Sequence, residues 1–196
     1  MKDTKKFKEY KIILVGNSGS GKTTFLENFF KLSYETNIQP TIGAALKVYK
    51  DYNNKIKYNI WDTAGQERYS SLLSLYYRNA DIIFIFYDLS IDYNGDSIMK
   101  WIDNIKYYID NPYIVIIANK TDLLENLPNK PNNIPDNIKW YLSTNYDIDN
   151  IQKIFEESIL PFKNKSINEK YENEKNINLN NDDTYYSNVL FFLDYC

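Results

Sequence analysis

The sequence predicts an α/β fold with a mostly parallel central sheet, one antiparallel edge hairpin and helices on both faces. Short apolar segments alternate along the chain with segments whose apolar residues recur every three or four positions, as in repeated strand–helix units. Two apolar segments, residues 82–87 and 114–118, are unbroken, which is typical of strands buried on both faces. Asn53 and Asn54 separate two further β-rich segments as a hairpin turn does. Ligands of such sheets bind beyond the carboxyl ends of the strands, so the functional residues are expected there.

The strands are predicted from short runs of apolar and β-branched residues. In chain order they lie at residues 11–15, 46–52, 56–61, 82–87, 114–118 and 139–142. The helices are predicted from apolar residues at helical spacing. They lie at residues 24–31, 70–77, 96–110 and 151–159, and Pro161 is expected to end the last of them. Three prolines in residues 124–136 predict a loop or a shortened helix there.

Beyond residue 162 the sequence becomes polar and rich in Asn, Glu and Lys. Such a composition buries too little apolar surface to fold, so residues 164–188 are expected to be disordered. At 196 residues the chain has room for one well-buried core. The expected organisation is one domain over residues 9–163 and a flexible tail over residues 164–196 that ends in a cysteine.

Composition excludes several classes of function. The net charge of −3 gives no electrostatic basis for a nucleic-acid partner, since such binding is built on clustered Lys and Arg. One cysteine and no histidine predict neither an internal disulfide nor a Cys/His metal cluster. The charged start carries no apolar leader, and no apolar run reaches membrane-spanning length, so the protein is expected in the cytosol.

A glycine-rich segment links the first predicted strand to the first predicted helix. Residues 16–23, Gly-Asn-Ser-Gly-Ser-Gly-Lys-Thr, match the phosphate-loop pattern G-x-x-x-x-G-K-[ST]. Glycine lets several backbone N–H groups face one anion, the helix start adds its dipole, Lys22 adds a charge, and the Thr23 hydroxyl can hold Mg²⁺. A chance lysine in a Gly/Ser-rich turn is the alternative, and the flanking strand and helix argue against it. The residues expected to hold phosphate are Ser18, Gly19, Ser20, Gly21, Lys22, Thr23 and Thr24.

A carboxylate, a glycine and an amide follow the third predicted strand. Asp62 stands where a phosphate-loop enzyme holds its metal, so it is the expected Mg²⁺ partner through water. An aspartate at a strand end is more often a turn former, but the residues after it favour the metal role. The Gly65 N–H could meet a γ-phosphate, and the Gln66 amide could orient an attacking water.

These segments together resemble the Ras superfamily of small GTPases. The resemblance rests on the phosphate loop and on Trp-Asp-Thr-Ala-Gly-Gln-Glu-Arg at residues 61–68, and it covers about residues 10–161. It implies the small GTPase fold, with GTP and GDP as substrate and product and Mg²⁺ as cofactor. It also implies that Gln66 is the water-positioning catalytic residue and that Gly65 senses the γ-phosphate.

The same resemblance completes the predicted metal site. Thr41 lies 19 residues after Lys22, where the family places the threonine that joins the Mg²⁺ shell when the γ-phosphate is present. The metal residues implied are therefore Thr23, Thr41 and, through water, Asp62.

The resemblance also assigns the residues that recognise guanine. Asn-Lys-Thr-Asp at residues 119–122 matches the family's N-K-x-D element. The chemistry agrees, because the Asp122 carboxylate can accept hydrogen bonds from guanine N1–H and N2–H₂, which adenine cannot offer. Tyr34 falls where an aromatic side chain packs against the base, with an ordinary surface tyrosine as an equal alternative. The guanine-binding residues implied are Tyr34, Asn119, Lys120, Asp122, Ser143, Thr144 and Asn145.

The chain departs from the family at the last of these residues. Asn145 stands where the family's S-A-K element has lysine, so the lysine stem that covers the base is lost and weaker nucleotide affinity is expected. The proline-interrupted segment before it is several residues shorter than in typical Rab proteins.

Finer details resemble the Rab proteins. Residues 76–80 and 86–90 follow Rab usage, and residues 41–45 with 68–72 narrow the resemblance to the early-endosomal branch. This implies a GTP/GDP switch that regulates vesicle-mediated, endocytic membrane traffic and hydrolyses GTP slowly without an activating protein. Its expected place is the cytosol and the cytoplasmic face of endomembranes, at the early endosome. Its expected partners are an exchange factor, a GTPase-activating protein and effectors.

Effector binding implies an exposed hydrophobic surface at Trp61, Tyr76 and Ile42, for which plain core is the alternative. Attachment to an intracellular membrane would come from prenylation of Cys196, with an unmodified cysteine as an equal alternative. One lipid alone would anchor the chain only marginally.

Two other functions stay open. The departure at residues 143–145 favours a scaffold that binds GTP or GDP with little hydrolysis. The second open function is a P-loop kinase of small molecules. The segment from Asp62 to Gln66 argues against it, because this segment is typical of GTP/GDP switch proteins.

Overall fold

The computed structural model describes residues 7–31, 43–63 and 73–169. The chain divides into two units, Met1–Ile159 and Leu160–Cys196. All the strands below belong to the first unit. In the second unit the described residues are helical.

One six-stranded sheet forms the centre of the first unit. Its strands are β1 (Lys8–Gly16), β2 (Ala44–Asp51), β3 (Ile56–Thr63), β4 (Ile82–Asp88), β5 (Tyr113–Asn119) and β6 (Lys139–Leu142). They lie in the order β2-β3-β1-β4-β5-β6. β2 is antiparallel to β3, and every other neighbouring pair is parallel. The predicted fold class is therefore confirmed, including the edge hairpin.

Four α-helices occur in the described part of the chain. They are α1 (Lys22–Lys31), α2 (Leu73–Tyr77), α3 (Asp96–Tyr108) and α4 (148–169). α3 begins where the Asp92 carboxylate accepts hydrogen bonds from the backbone N–H groups of Asp96 and Ser97, at 2.8 and 2.9 Å. These bonds satisfy two of the amides that a helix start leaves without a helical partner. None of the described helices is both long enough and apolar enough to cross a membrane.

The two faces of the sheet are covered by different helices. On one face, Ile98, Ile102 and Ile105 of α3 pack with inward residues of β4 and β5. On the other face, Phe25 of α1 packs edge-on against Phe86, and Phe155 of α4 against Phe84, with ring centroids 5.1 and 6.0 Å apart. β4 is buried along nearly its whole length, which explains why its sequence is apolar without alternation.

The prediction that Pro161 ends the last helix is wrong, because helical residues continue to 169. Proline lacks a backbone N–H, so the carbonyl of Glu157 four residues earlier loses its helical donor. Lys139 supplies a substitute, since its Nζ donates to the Glu157 oxygen at 2.9 Å. The predicted disorder of residues 164–188 is likewise wrong for 164–169, and the rest of that segment lies outside the described residues.

The proline-rich segment between β5 and β6 was predicted to be either a loop or a shortened helix, and it is a loop. A single 3₁₀ turn (Thr121–Leu123) begins it, and no helix follows before β6. Lys130 holds its end in place by donating from Nζ to the carbonyls of Pro135 and Ile138, both at 2.9 Å.

Candidate functional site

The loop between β1 and α1 curls around the side chain of Lys22. The Lys22 Nζ donates to the carbonyls of Gly16 and Asn17, both at 2.8 Å, and the residue is only 5% exposed. A buried ammonium held by two backbone oxygens places a full positive charge at the centre of the loop. Together with the start of α1, this charge makes the loop a receptor for an anion.

Two glycines allow the loop to lie against the sheet. Gly16 has φ +136°, and a Cβ there would overlap the carbonyl of Phe86 on β4. Gly21 has φ +92°, and a Cβ there would overlap the Asn119 side-chain amide. Both positions combine a left-handed backbone with close approach, which only glycine accommodates. The loop is thus fitted to the carboxyl ends of β4 and β5.

Oxygen donors suited to Mg²⁺ lie at the same edge of the sheet. Asp62 near the end of β3 is paired in register with Leu14 of β1, and it is 1% exposed. Thr63 fixes this end of β3 by donating from Oγ1 to the Leu14 carbonyl at 2.6 Å. Thr23 follows Lys22 in the first turn of α1. A hydroxyl and a carboxylate fit a cation that takes one or two protein oxygens and fills its shell with phosphate and water.

No cluster of three or more His, Cys, Asp or Glu side chains suited to a metal occurs in residues 7–31, 43–63 and 73–169. The described residues therefore do not form a metal site made only of protein carboxylates. The donor set at Thr23 and Asp62 fits the Mg²⁺ of a nucleotide complex instead.

Asn119 ties the end of β5 to the phosphate loop. It is fully buried, and its Nδ2 donates to the Ser20 carbonyl at 2.9 Å. The Asn119 Oδ1 is buried and accepts no hydrogen bond from the described part of the chain. This asparagine therefore links the two halves of the site through one amide.

Lys120 is held in a turn by a short ion pair. Its backbone has φ +67°, and its Nζ lies 2.6 Å from Asp88 Oδ2 at the end of β4. Burial raises the pKa of Asp88, but hydrogen bonds from Lys120 and Ser90 outweigh it and hold the pKa below its usual value. The ion pair thus fixes the chain just before Asp122.

Asp88→Asn is expected to lower the free energy of unfolding by about 1–3 kcal/mol, because Lys120 and Ser90 lose a charged acceptor. The pKa of Asp88 is lower in the folded state, so this contribution is complete above the ordinary carboxyl pKa and is lost as pH falls through the folded value. Urea unfolding at neutral pH and at about pH 3 measures both effects.

A matched control for this variant is Asp103→Asn on the exposed side of α3. A gap between Asp88→Asn and wild type that stays the same size at acid pH would contradict the assigned role of the ion pair.

The segments at residues 119–122 and 143–145 form one structural unit. Thr121 donates to the Ser143 carbonyl from both its backbone N–H, at 3.1 Å, and its Oγ1, at 3.0 Å. The Ser143 N–H in turn donates to the Ala118 carbonyl at 2.9 Å. The Thr144 Oγ1 then donates to Asp122 Oδ1 at 2.6 Å. The orientation of the Asp122 carboxylate is therefore fixed by the segment at residues 143–145.

A cavity of about 670 Å³ lies between this unit and α1. It is lined by Thr24, Asn28, Lys120, Asp122, Leu123, Asn145, Tyr146 and Ile148. Its volume is in the range of small-molecule sites. Thr24 lies directly after the phosphate loop, so a ligand in this cavity can reach Asp122 at one end and the loop at the other.

Asn145 stands where the resemblance places lysine, and its side chain turns toward the phosphate loop. Its Nδ2 donates to the Gly21 carbonyl and its Oδ1 accepts from Asn119, both at 3.4 Å. Its carbonyl accepts a hydrogen bond from Asn28 Nδ2 at 2.6 Å. Residue 145 thus joins α1, the phosphate loop and Asn119.

The structure brings together most of the predicted site residues. These residues lie along the carboxyl ends of β1, β3, β4, β5 and β6. They are the residues of the phosphate loop, Asp62, Asn119, Lys120, Asp122 and residues 143–145. Asn28, Asp88 and Tyr146 were not predicted, since nothing in their local sequence distinguishes them from other polar residues or tyrosines. The predicted roles of Tyr34, Thr41, Gly65, Gln66 and Cys196 fall on residues outside the described ranges.

The predicted hydrophobic surface is partly present. Trp61 and Tyr76 are half-buried, and their rings pack with centroids 6.2 Å apart. On the adjoining strand, Leu46 and Val48 are 50% and 40% exposed. Ile42 lies outside the described residues.

Comparison with known proteins agrees with the geometry. The model of the Ras family matches residues 11–179. GTP-binding protein YPT52 of Saccharomyces cerevisiae is 34% identical over 132 residues, covering 61% of this chain and 56% of that protein. Ras-related protein Rab-3A of Homo sapiens is 38% identical over 117 residues, covering 58% and 53%. GTP-binding protein ypt3 of Schizosaccharomyces pombe is 40% identical over 119 residues, covering 59% and 55%. The chain thus spans little more than half the length of the relatives it matches.

Proposed function

This chain belongs to the Ras family, and we propose that it is a Rab-like GTP/GDP switch that hydrolyses GTP to GDP and phosphate. One observation carries the proposal. A single cavity extends from Asp122, a carboxylate aimed by Thr144, to the start of α1 beside the phosphate loop. A guanine nucleotide has the two matching ends, since its base offers N1–H and N2–H₂ donors and its phosphates offer negative charge.

The base and the phosphates of the nucleotide each have their own partners in the site. The Asp122 carboxylate accepts from the guanine edge, while the loop N–H groups and Lys22 bind the phosphates. The Thr23 hydroxyl and, through water, Asp62 would hold Mg²⁺, which would supply charge neutralisation at the phosphate oxygens. These contacts position the nucleotide but do not yet activate water.

The hydrolytic step is assigned to residues that the family resemblance implies. Gln66 orients the attacking water, and Gly65 and Thr41 respond to the γ-phosphate, so that their segments order in the GTP state and relax after hydrolysis. Without an activating protein the rate is expected at about 10⁻⁴–10⁻³ per second.

The proposed cellular role is regulation of vesicle-mediated traffic, in the endocytic pathway, on the cytoplasmic face of early endosomes. The Rab-type segments at residues 76–80 and 86–90 and the likeness to Rab-3A support a traffic role. The endocytic assignment rests on residues 41–45 and 68–72. Proposed partners are an exchange factor, a GTPase-activating protein, effectors that bind the apolar surface beside Trp61, and a membrane reached by prenylation of Cys196.

Single-turnover hydrolysis of bound GTP tests the enzymatic proposal. Wild type is expected to release phosphate at the slow intrinsic rate, and Gln66→Leu to be slower by about tenfold or more, because leucine cannot hydrogen-bond the attacking water. Gln152→Leu, the same change on the exposed side of α4, is the matched control and should hydrolyse GTP like wild type. Both variants should bind GDP as tightly as wild type.

Two outcomes would count against this assignment. Hydrolysis in Gln66→Leu at the wild-type rate would remove Gln66 from the catalytic step. Tight GTP binding with no phosphate release by wild type, with or without a Rab-activating protein, would favour the scaffold that binds GTP or GDP with little hydrolysis.

A further inference from the structure

We propose that Tyr146 covers the face of the bound base, in place of the lysine that the family carries at position 145. This inference rests on the proposed function, because it concerns the same nucleotide site. Three observations lead to it: the direction of the Asn145 side chain, the position of Tyr146 on the cavity rim, and the small number of other apolar side chains among the described residues that line the cavity.

Asn145 is engaged elsewhere and does not cover the base. Its side-chain amide contacts the Gly21 carbonyl and the Asn119 amide, each at 3.4 Å. Its backbone carbonyl is fixed to α1 by Asn28 at 2.6 Å. An asparagine side chain held by these hydrogen bonds has no long apolar stem, as lysine has, that could pack on the ring of the base. The cover that a lysine at position 145 would give the base must therefore come from another residue.

Tyr146 is the next residue along the chain, and it lines the same cavity as Asp122. Its backbone N–H donates to Thr144 Oγ1 at 3.4 Å, and that hydroxyl donates to Asp122 Oδ1 at 2.6 Å. The position of Tyr146 is thus coupled to the carboxylate that accepts from the base edge. Because both residues line one cavity, a base whose edge meets Asp122 lies within reach of the Tyr146 side chain.

The ring is available for stacking, since Tyr146 is 85% exposed. Among the described residues that line the cavity, it is the one aromatic side chain; Leu123 and Ile148 are the aliphatic ones, 60% and 37% exposed. A purine face is a flat π surface, and a stacked aromatic side chain removes it from water. These three side chains supply the apolar cover that Asn145 lacks.

The rate of GDP release tests this role. A ribose-labelled fluorescent GDP is loaded with Mg²⁺ and chased with excess unlabelled GDP. Tyr146→Ala is expected to release it about 5- to 150-fold faster than wild type, the range for loss of one base–aromatic stack. Tyr146→Phe and Tyr146→Trp keep a ring and should stay within about twofold of wild type or release more slowly.

Tyr107→Ala is the matched control, because Tyr107 is 82% exposed on α3 and lies outside the cavity lining. It should release GDP like wild type. Thermal unfolding of each variant without nucleotide shows whether the fold is retained, which the exposure of Tyr146 leads us to expect.

The inference is overturned if Tyr146→Ala releases GDP at the wild-type rate, or if Tyr146→Trp releases it as fast as Tyr146→Ala. In either case wild type still binds GDP, and the proposed function stands. If wild type binds no GDP, the proposed function fails and this inference fails with it.

Discussion

Asp122→Asn is expected to lower the affinity for GDP by about 10³-fold or more. The Asp122 carboxylate accepts from Thr144 at 2.6 Å, and its remaining acceptor capacity is available to the two donors on the guanine edge. An asparagine amide presents donors there, so at least one guanine N–H loses a charged acceptor, and sites built around such hydrogen bonds discriminate strongly. Xanthosine diphosphate carries a carbonyl where guanine carries N2–H₂, so its affinity should rise in the variant.

Equilibrium competition against labelled GDP measures both affinities. Asp103→Asn on α3 makes the same chemical change on an exposed surface, and it should leave both affinities unchanged. An Asp122→Asn variant that keeps its preference for GDP over xanthosine diphosphate would mean that this carboxylate does not contact the base.

Gly21→Ala is expected to lower nucleotide affinity by about 10²-fold, and to destabilise the protein by about 1–3 kcal/mol. The new Cβ would overlap the Asn119 amide and lie 2.7 Å from Asn145 Nδ2, on a backbone with φ +92°. Either the loop or both asparagines must move, and the asparagines carry the link between the loop and the base pocket. Isothermal titration with GDP and urea unfolding measure the two effects.

Gly19→Ala is the matched control in the same loop. Gly19 has φ +75°, so alanine is strained there too, but nothing lies within 4 Å of the added Cβ. It should lose stability through backbone strain and retain most of its GDP affinity, because alanine keeps the backbone N–H through which Gly19 is expected to hold phosphate. Equal loss of GDP affinity in the two variants would show that backbone strain alone, and not displacement of Asn119, governs the site.

Much of the fold could be predicted because its signals are local. Unbroken apolar runs identify β4 and β5, and Asn53-Asn54 marks the hairpin. Parallel pairing then brings the strand ends together, which is why Lys22, Asn119 and Asp122 converge as expected.

What could not be predicted depends on contacts between residues far apart in the chain. α4 passes Pro161 because Lys139 satisfies the carbonyl that proline leaves without a donor. Asn28 contributes through a hydrogen bond to Asn145, 117 residues away. Asn145 was predicted to weaken nucleotide affinity because it lacks a lysine stem. The structure shows that its side chain also contacts Gly21 of the phosphate loop and Asn119 at the end of β5.

Selection of a guanine nucleotide by this cavity is measured by competition between GDP and ADP for the wild-type protein. With labelled GDP bound in the presence of Mg²⁺, unlabelled GDP is expected to displace it at a concentration about 10³-fold or more below that required of ADP, since adenine lacks the N1–H and N2–H₂ donors that guanine offers to Asp122. Displacement by ADP at the same concentration as GDP would mean that the cavity does not select guanine.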